Sequence, residues 1–187
     1  MNWRARGAAL LVIQCLIVSS IAAKYMYDRA TRPRVWVRVA LYDPNLPMRG
    51  RYMALSPVVD ACSLPHDNQS ALKSYDYKDG KSVEVISSWR WRVSTVARDG
   101  KLVVEDARNV VPRSSRQLIW LSADEPCALA RLTPGVVFFI PDTAEPPFPS
   151  KPGEELWAEV TVPASGPPRP IQLAISRDGE WKLLHIN

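Results

Sequence analysis

Apolar and polar side chains alternate in several short segments of this chain, and the alternation predicts β-strands. In residues 35–41, valine and leucine occupy every second position. A period of two places these side chains on one face, which is typical of a strand with one buried face. The same pattern recurs in residues 52–56, 88–94, 156–162, 171–175 and 181–186.

Turn residues between these segments predict how the strands connect. Asp99-Gly100 and Asp178-Gly179 each stand between two apolar segments, which is a signal for a hairpin. The chain has 17 prolines and 8 glycines in 187 residues, which favours short strands and stiff turns over long helices. We therefore predict a mainly β fold, an antiparallel sandwich or barrel-like domain. We expect no helix longer than two turns after the N-terminal segment.

Shorter apolar runs at residues 117–121, 128–132 and 136–140 predict further strands. Two segments interrupt the pattern. Residues 61–81 are mostly polar, and we predict a long loop there. Residues 141–153 contain five prolines, so we expect an extended loop without strand pairing.

The N-terminus combines a basic tail with an apolar segment. Residues 1–6 contain two arginines, and residues 7–23 are apolar apart from Gln14, Cys15, Ser19 and Ser20. This run is close to the shortest helix that crosses a bilayer, and we place the candidate membrane segment at residues 7–25. A signal peptide has the same composition, and Ser20-Ile21-Ala22 supplies small residues for cleavage. Lys24 and Tyr25 suit a membrane interface. We favour an uncleaved transmembrane anchor, followed by an all-β domain at residues 32–187.

Three cysteines have different expected roles. Cys15 lies within the apolar segment and fits a small hydrophobic side chain. Cys62 and Cys127 lie in the predicted β domain, where an oxidising compartment would allow a disulfide. Sequence spacing alone cannot place two cysteines within bonding distance, so both the bridged and the free form remain open.

The sequence offers little for catalysis. His66 and His185 are the only histidines, and no known nucleophile, phosphate-binding or zinc motif is present. The carboxylate pairs Asp124-Glu125 and Glu154-Glu155 stand beside proline or glycine, which favours solvated loop charges. We predict no enzyme activity, no metal site and no cofactor. The formal net charge of +5 is scattered along the chain, which argues against nucleic-acid binding.

A turn between the first two predicted strands is the candidate binding site. Residues 43–48 contain two prolines that end the first strand. Arg49, Gly50, Arg51 and Tyr52 follow, and two guanidinium groups beside a phenol could bind a phosphate, a carboxylate or an acidic partner. The alternative is that Gly50 serves the backbone turn and Tyr52 packs in the core.

Gly50, Tyr52 and Leu55, preceded by Asp43-Pro44 and Arg49, resemble the motif of the GDYXXLXY-domain family of bacterial membrane-anchored proteins. In this chain Arg51 occupies the aspartate position of the motif and Pro57 the position of its last tyrosine. The resemblance implies a location in the bacterial inner membrane and no particular reaction. Residues 1–6 would then be cytoplasmic and residues 32–187 periplasmic.

The charge balance on the two sides of the apolar segment predicts the opposite orientation, with the C-terminal side in the cytoplasm. Two arginines precede the segment, and five lysines and arginines follow it by residue 38. Long C-terminal domains are nevertheless translocated largely regardless of charge. We therefore keep the periplasmic orientation as our expectation.

Three functions remain open at this level. The first is an interaction or accessory module that binds an envelope or membrane protein through the Arg49–Tyr52 turn. The second is a binding module for a lipid or glycan of the envelope, using Trp89, Trp91 or Trp157. The third and least favoured is a hydrolase without a recognisable motif.

Overall fold

A computed structural model describes five parts of the chain: residues 3–42, 52–78, 81–108, 116–139 and 151–184. The chain forms two compact units, Met1–Arg32 and Pro33–Asn187. The first consists of one helix, and the second contains the strands.

Helix α1 spans Trp3–Thr31, so the predicted helix is confirmed and is longer than residues 7–25. Its part Arg6–Thr31 has a mean hydropathy of 1.9, and no residue of its apolar window is buried. At about 1.5 Å per residue these 26 residues extend roughly 39 Å, which exceeds the roughly 30 Å of a bilayer core. The helix is therefore long and apolar enough to cross a membrane, and a signal sequence near the N-terminus would share these properties.

The second unit is mainly β, as predicted. Its strands are β1 (Arg34–Tyr42), β2 (Tyr52–Val59), β3 (Gln69–Lys78), β4 (Lys81–Arg98), β5 (Lys101–Asp106), β6 (Gln117–Ser122), β7 (Ala130–Thr133), β8 (Val136–Phe139), β9 (Glu155–Thr161), β10 (Arg169–Arg177) and β11 (Glu180–Leu184). Single turns of 3-10 helix occur at His66–Asn68 and Cys127–Leu129.

All eleven strands belong to one antiparallel sheet in the order β11-β10-β9-β1-β2-β7-β6-β4-β3. In addition β5 pairs with β4, and β8 pairs with β2. The sheet is open, so the barrel-like alternative is not realised as a closed barrel. The strand β5 also lies close to β1 and β2 without pairing with them.

The alternating residues form the core as predicted. Val35, Val37 and Val39 of β1 are all buried. They join a cluster that includes side chains from β2, β4, β5, β6, β7, β9 and β10. Burial of such side chains stabilises the fold by about 1.5–3 kcal/mol each.

Both predicted hairpin turns are present. Asp99 and Gly100 have φ angles of 51° and 71°, and they connect β4 to β5. Asp178 and Gly179 have φ angles of 51° and 86°, and they connect β10 to β11. Positive φ at both central residues matches the right-handed twist of the paired strands, which explains why Asp-Gly occurs at both turns.

The end predicted for the second strand is wrong, because β2 continues through Pro57 to Val59. Before Pro57, β2 pairs with β8, and Leu55 lies opposite Val136. After Pro57, β2 pairs with β7 instead, starting at Val58. The proline occupies the point at which the neighbour changes, so its missing N–H interrupts neither of these two ladders.

The prediction of a loop over residues 61–81 is also wrong, because 10 residues of this segment form strand β3. Most of the side chains of β3 are exposed, so the strand has no apolar face to bury. An alternating apolar signal appears only where one face of a strand is buried. The segment therefore looked like a loop although it is paired with β4 along its length.

Candidate functional site

The predicted binding turn lies mostly outside the described residues. Arg49, Gly50 and Arg51 belong to the part that is not described. Tyr52 begins β2 and lies opposite Phe139 of β8. Whether the four residues lie together is therefore not settled by the described part of the chain, and the site remains a prediction.

The most distinctive described feature is a two-stranded ribbon, which we define as residues 73–78 of β3 and residues 81–87 of β4. The two strands pair from Lys73 opposite Ile86 to Lys78 opposite Lys81. Strand β6 begins to pair with β4 only at Ser88. Within the described ranges, the ribbon has no other strand neighbour.

A bulge stands at the base of the ribbon. The register shifts between Leu72, opposite Ser88, and Lys73, opposite Ile86. Ser87 is the extra residue, and its hydroxyl donates a hydrogen bond of 3.1 Å to the carbonyl oxygen of Leu72. The Ala123 N–H donates a bond of 3.1 Å to the Ser87 carbonyl oxygen. Bulges bend a strand and increase its twist, so this one sets the direction of the ribbon.

One face of the ribbon carries Tyr75, Tyr77 and Ile86, and we call it the tyrosine face. Every second residue of a strand shares a face with its cross-strand partners. Tyr75 and Tyr77 are 76% and 77% exposed, and Ile86 is 42% exposed. Lys73 and Glu84 form a salt bridge of 2.9 Å on the same face. The face thus presents apolar surface with polar hydroxyl tips and a charged pair.

A second aromatic group lies on the sheet face opposite the core. Trp181 of β11 contacts Trp36 of β1 and Trp157 of β9, with ring centroids 5.3 Å and 5.1 Å apart. The rings are inclined at 69° and 53°, so they do not form one flat platform. Trp181 is 48% exposed, whereas Trp157 is partly covered. The surface available at this cluster is therefore mainly that of Trp181.

The other two candidate tryptophans belong to the core side of β4. Trp91 is only 4% exposed, and Trp89 is partly buried against the core. This agrees with the alternation predicted for residues 88–94, because a period of two places both tryptophans on the same face. The ring of Trp91 is therefore not an open surface for a flat ligand.

The structure joins Cys62 and Cys127 in a disulfide, with their Cα atoms 5.0 Å apart. The bridge links the segment after β2 to the short helical turn before β7. The Ala61 N–H also donates a hydrogen bond of 3.0 Å to the Cys127 carbonyl oxygen. Cys15 is free and exposed on α1.

The carboxylate pairs are held by local partners. Ser122 donates a hydrogen bond to Asp124, and this bond, with a backbone hydrogen bond, lowers the pKa of Asp124 below its usual value. Glu125 pairs with Arg131 at 2.6 Å, and Glu155 pairs with Arg38 at 3.0 Å. Glu154 accepts a bond of 3.1 Å from the Lys151 N–H. The Asp124 carboxylate is therefore charged at neutral pH and cannot serve there as a general acid.

The histidines and the metal-binding residue types give no further site. His66 Nδ1 lies 3.1 Å from Gln69 Oε1, and His185 is outside the described residues. In the described part of the chain, no group of three or more histidine, cysteine, aspartate or glutamate residues could hold a metal ion.

The structure thus defines a small, mainly β domain that follows an apolar helix and carries a ribbon with exposed tyrosines. Comparison with known proteins found no matching family model, no matching curated protein and no matching solved structure.

Proposed function

We propose that the chain is a membrane-anchored interaction module and that a protein partner binds its tyrosine face. The exposure of Tyr75 and Tyr77 carries this proposal. Tyrosine is enriched where proteins bind one another, because its ring contributes apolar area and its hydroxyl a hydrogen bond. The same two residues contribute almost nothing to the core, so folding does not explain them.

The geometry of the ribbon favours a protein partner over a small molecule. The ribbon is a surface and not a cavity, and small ligands bind mostly in concave sites. Among the described strands, none pairs with the outer edge of β3, so its backbone groups are available to a partner strand. An isolated two-stranded ribbon is marginally stable in water, and a partner would add the packing that it lacks.

The location we propose is the bacterial inner membrane, with α1 as a single-pass anchor and the β domain in the periplasm. The length and hydropathy of α1 support an anchor. The bridge between Cys62 and Cys127 supports an oxidising compartment, since disulfides are rare in the cytosol. Only Arg32 and Pro33 separate the end of α1 from β1, so no long linker would stand between the anchor and the β domain.

Site-specific photocrosslinking tests the proposal in cells that naturally produce the chain. We expect p-benzoylphenylalanine in place of Tyr75 or Tyr77 to give a discrete adduct on irradiation, because this side chain resembles tyrosine and both positions are exposed. The matched control is position 83 on the opposite face of the ribbon, where Val83 is 44% exposed. We expect no adduct there.

A second experiment tests whether the two tyrosines contribute to the binding free energy. We expect Tyr75→Ser plus Tyr77→Ser to reduce copurification of the partner identified by crosslinking by at least about tenfold, since hot-spot truncations cost about 2 kcal/mol or more. The double variant Arg49→Ala plus Arg51→Ala is the parallel test of the predicted turn. Equal adducts at positions 75, 77 and 83, or none at all, would contradict binding through the tyrosine face.

A further inference from the structure

The outer edge of β3 is a long free edge of the sheet. β3 has 10 residues, whereas β11 at the other end of the strand order has 5 residues. Among the described residues, neither strand is paired on its outer side. Proteins commonly protect an edge strand by keeping it short or by placing proline or an unpaired charge on it. β3 contains no proline, and Lys73 is paired with Glu84 at 2.9 Å, so the edge is open to another strand.

A second copy of β3 suits this edge, because the sequence of the strand is complementary to itself. Antiparallel pairing of two identical strands creates a two-fold axis. Residues directly opposite each other share a face of the sheet, so the axis must pass through one residue and its own copy. An axis at Tyr75 places Lys73 opposite Tyr77 of the second copy. It also places Ser74 opposite Asp76.

All the pairs in this register are favourable. The two Tyr75 rings would pack on each other at the axis, and on each side of it the Lys73 ammonium would lie beside the ring of Tyr77. On the other face, the hydroxyl of Ser74 can donate a hydrogen bond to the Asp76 carboxylate. Cross-strand pairs of these kinds stabilise a sheet by about 0.2–1 kcal/mol each.

Other positions of the axis are less favourable. An axis at Lys73 or at Asp76 places two like charges opposite each other, which destabilises the pairing. An axis at Ser74 places Asp76 opposite Leu72, which is apolar and half-buried. An axis outside residues 73–76 leaves at least one tyrosine opposite a residue beyond the ends of β3. The register centred on Tyr75 is therefore the one that charge and polarity favour.

We propose that the partner of the tyrosine face is a second copy of this chain, paired antiparallel through β3 with the two-fold axis at Tyr75. This inference rests on the proposed function and specifies its partner. The two ribbons would form a sheet in the order β4-β3-β3-β4, which supplies the third strand that an isolated ribbon needs for stability. The two tyrosine faces would become one continuous surface across the axis.

Disulfide crosslinking of the full-length chain in phosphatidylcholine vesicles tests the register, because no other protein is present there. The background is Cys15→Ala, which removes the free cysteine. We expect oxidation to join two Tyr75→Cys chains, since opposite Cα atoms lie about 4.5–5.5 Å apart, within the range for a disulfide. In Lys73→Cys or Tyr77→Cys the identical residues would be about 14 Å apart. We expect each of these variants to react at least about tenfold more slowly.

A mixture of Lys73→Cys and Tyr77→Cys chains is the matched control. These two positions lie opposite each other in the proposed register, so the mixture should crosslink much faster than either variant alone. Equal rates for Tyr75→Cys, Lys73→Cys, Tyr77→Cys and the mixture would overturn the proposed pairing.

Energy transfer provides a second measurement that keeps both tyrosines in place. Chains with Val83→Cys in the Cys15→Ala background are labelled separately with a donor or an acceptor dye and reconstituted together in the same vesicles. We expect transfer above the level of random mixing, and we expect Tyr75→Ser plus Tyr77→Ser to abolish it. Leu183→Ser is the matched control, because Leu183 is 48% exposed on the other edge strand, and it should leave the transfer unchanged. Transfer at the level of random mixing would overturn the self-association.

The photocrosslinking experiment in cells separates failure of this inference from failure of the proposed function. An adduct of twice the mass of the chain from positions 75 and 77 supports both. An adduct with a different protein, together with no energy transfer in vesicles, supports the proposed function and overturns the self-association. Absence of any adduct contradicts both.

Discussion

Replacing both Cys62 and Cys127 with alanine is expected to lower the free energy of unfolding of the β unit by about 4 kcal/mol. The bridge joins residues that are 65 positions apart. In the chain-entropy model, a loop of this length stabilises the folded state by about 4 kcal/mol, because the unfolded chain loses conformational freedom. Urea unfolding of the full-length chain in nanodiscs, followed by tryptophan fluorescence, measures the change, since six of the seven tryptophans lie in this unit.

The third cysteine provides the control. Cys15 is free and belongs to the helical unit, so Cys15→Ala should leave the unfolding curve of the β unit unchanged. A chemical reductant should reproduce the effect of the double variant. If the double variant unfolds at the same urea concentration as the wild type, the bridge contributes no stability and the loop-closure explanation is wrong.

Gly135→Ala is expected to destabilise the β unit by about 3 kcal/mol, the upper end of the usual range for overpacking. A Cβ atom at position 135 would lie 2.5 Å from the carbonyl oxygen of Leu55. Leu55 is fully buried and pairs with both Leu41 and Val136, so the carbonyl has little freedom to move away. The same urea experiment measures the loss.

Gly7→Ala is the matched control for this substitution. Apart from its chain neighbours and the backbone of its own helix, no atom lies within 4 Å of a Cβ at position 7, and alanine is the more favourable residue in a helix. The variant should therefore leave the unfolding of the β unit unchanged. A Gly135→Ala protein as stable as the wild type would mean that β2 and β8 can separate at this point without cost.

The sequence predicts the strands of this fold well wherever one face is buried. The periodicity of residues 35–41 and 156–162 leads directly to β1 and β9, and the core includes Val35, Val37, Val39, Leu156 and Val160 of these strands. The Asp-Gly turns likewise predict their hairpins, because the positive φ angles are a local requirement. Sheet order could not be read from the sequence, since the pairing of β1 with β9 joins residues more than one hundred positions apart.

The ribbon shows where this kind of prediction fails. Tyr75 and Tyr77 do alternate with polar residues, and Asp79-Gly80 stands between two segments that turned out to be strands. Both signals are typical of a hairpin. The polar composition of residues 61–81 nevertheless predicts a loop, because a strand without a buried face shows no apolar alternation.

Two aromatic features differ in how far the sequence could reveal them. The tyrosine face is local, because its residues alternate within two strands that are adjacent in the sequence. The cluster of Trp36, Trp157 and Trp181 is not local, because it joins β1, β9 and β11. No spacing rule connects these three positions, so the cluster becomes visible only when the fold shows the order of the strands.

The disulfide also changes what happens when the chain is cut. The ribbon lies between Cys62 and Cys127 in the sequence, so it belongs to a covalently closed loop. A protease that cleaves the exposed ribbon once would produce two polypeptides that remain joined through sulfur. The pieces would stay joined until a reductant releases the C-terminal one. A single cut in the exposed ribbon would therefore not separate α1 from the C-terminal part of the β unit.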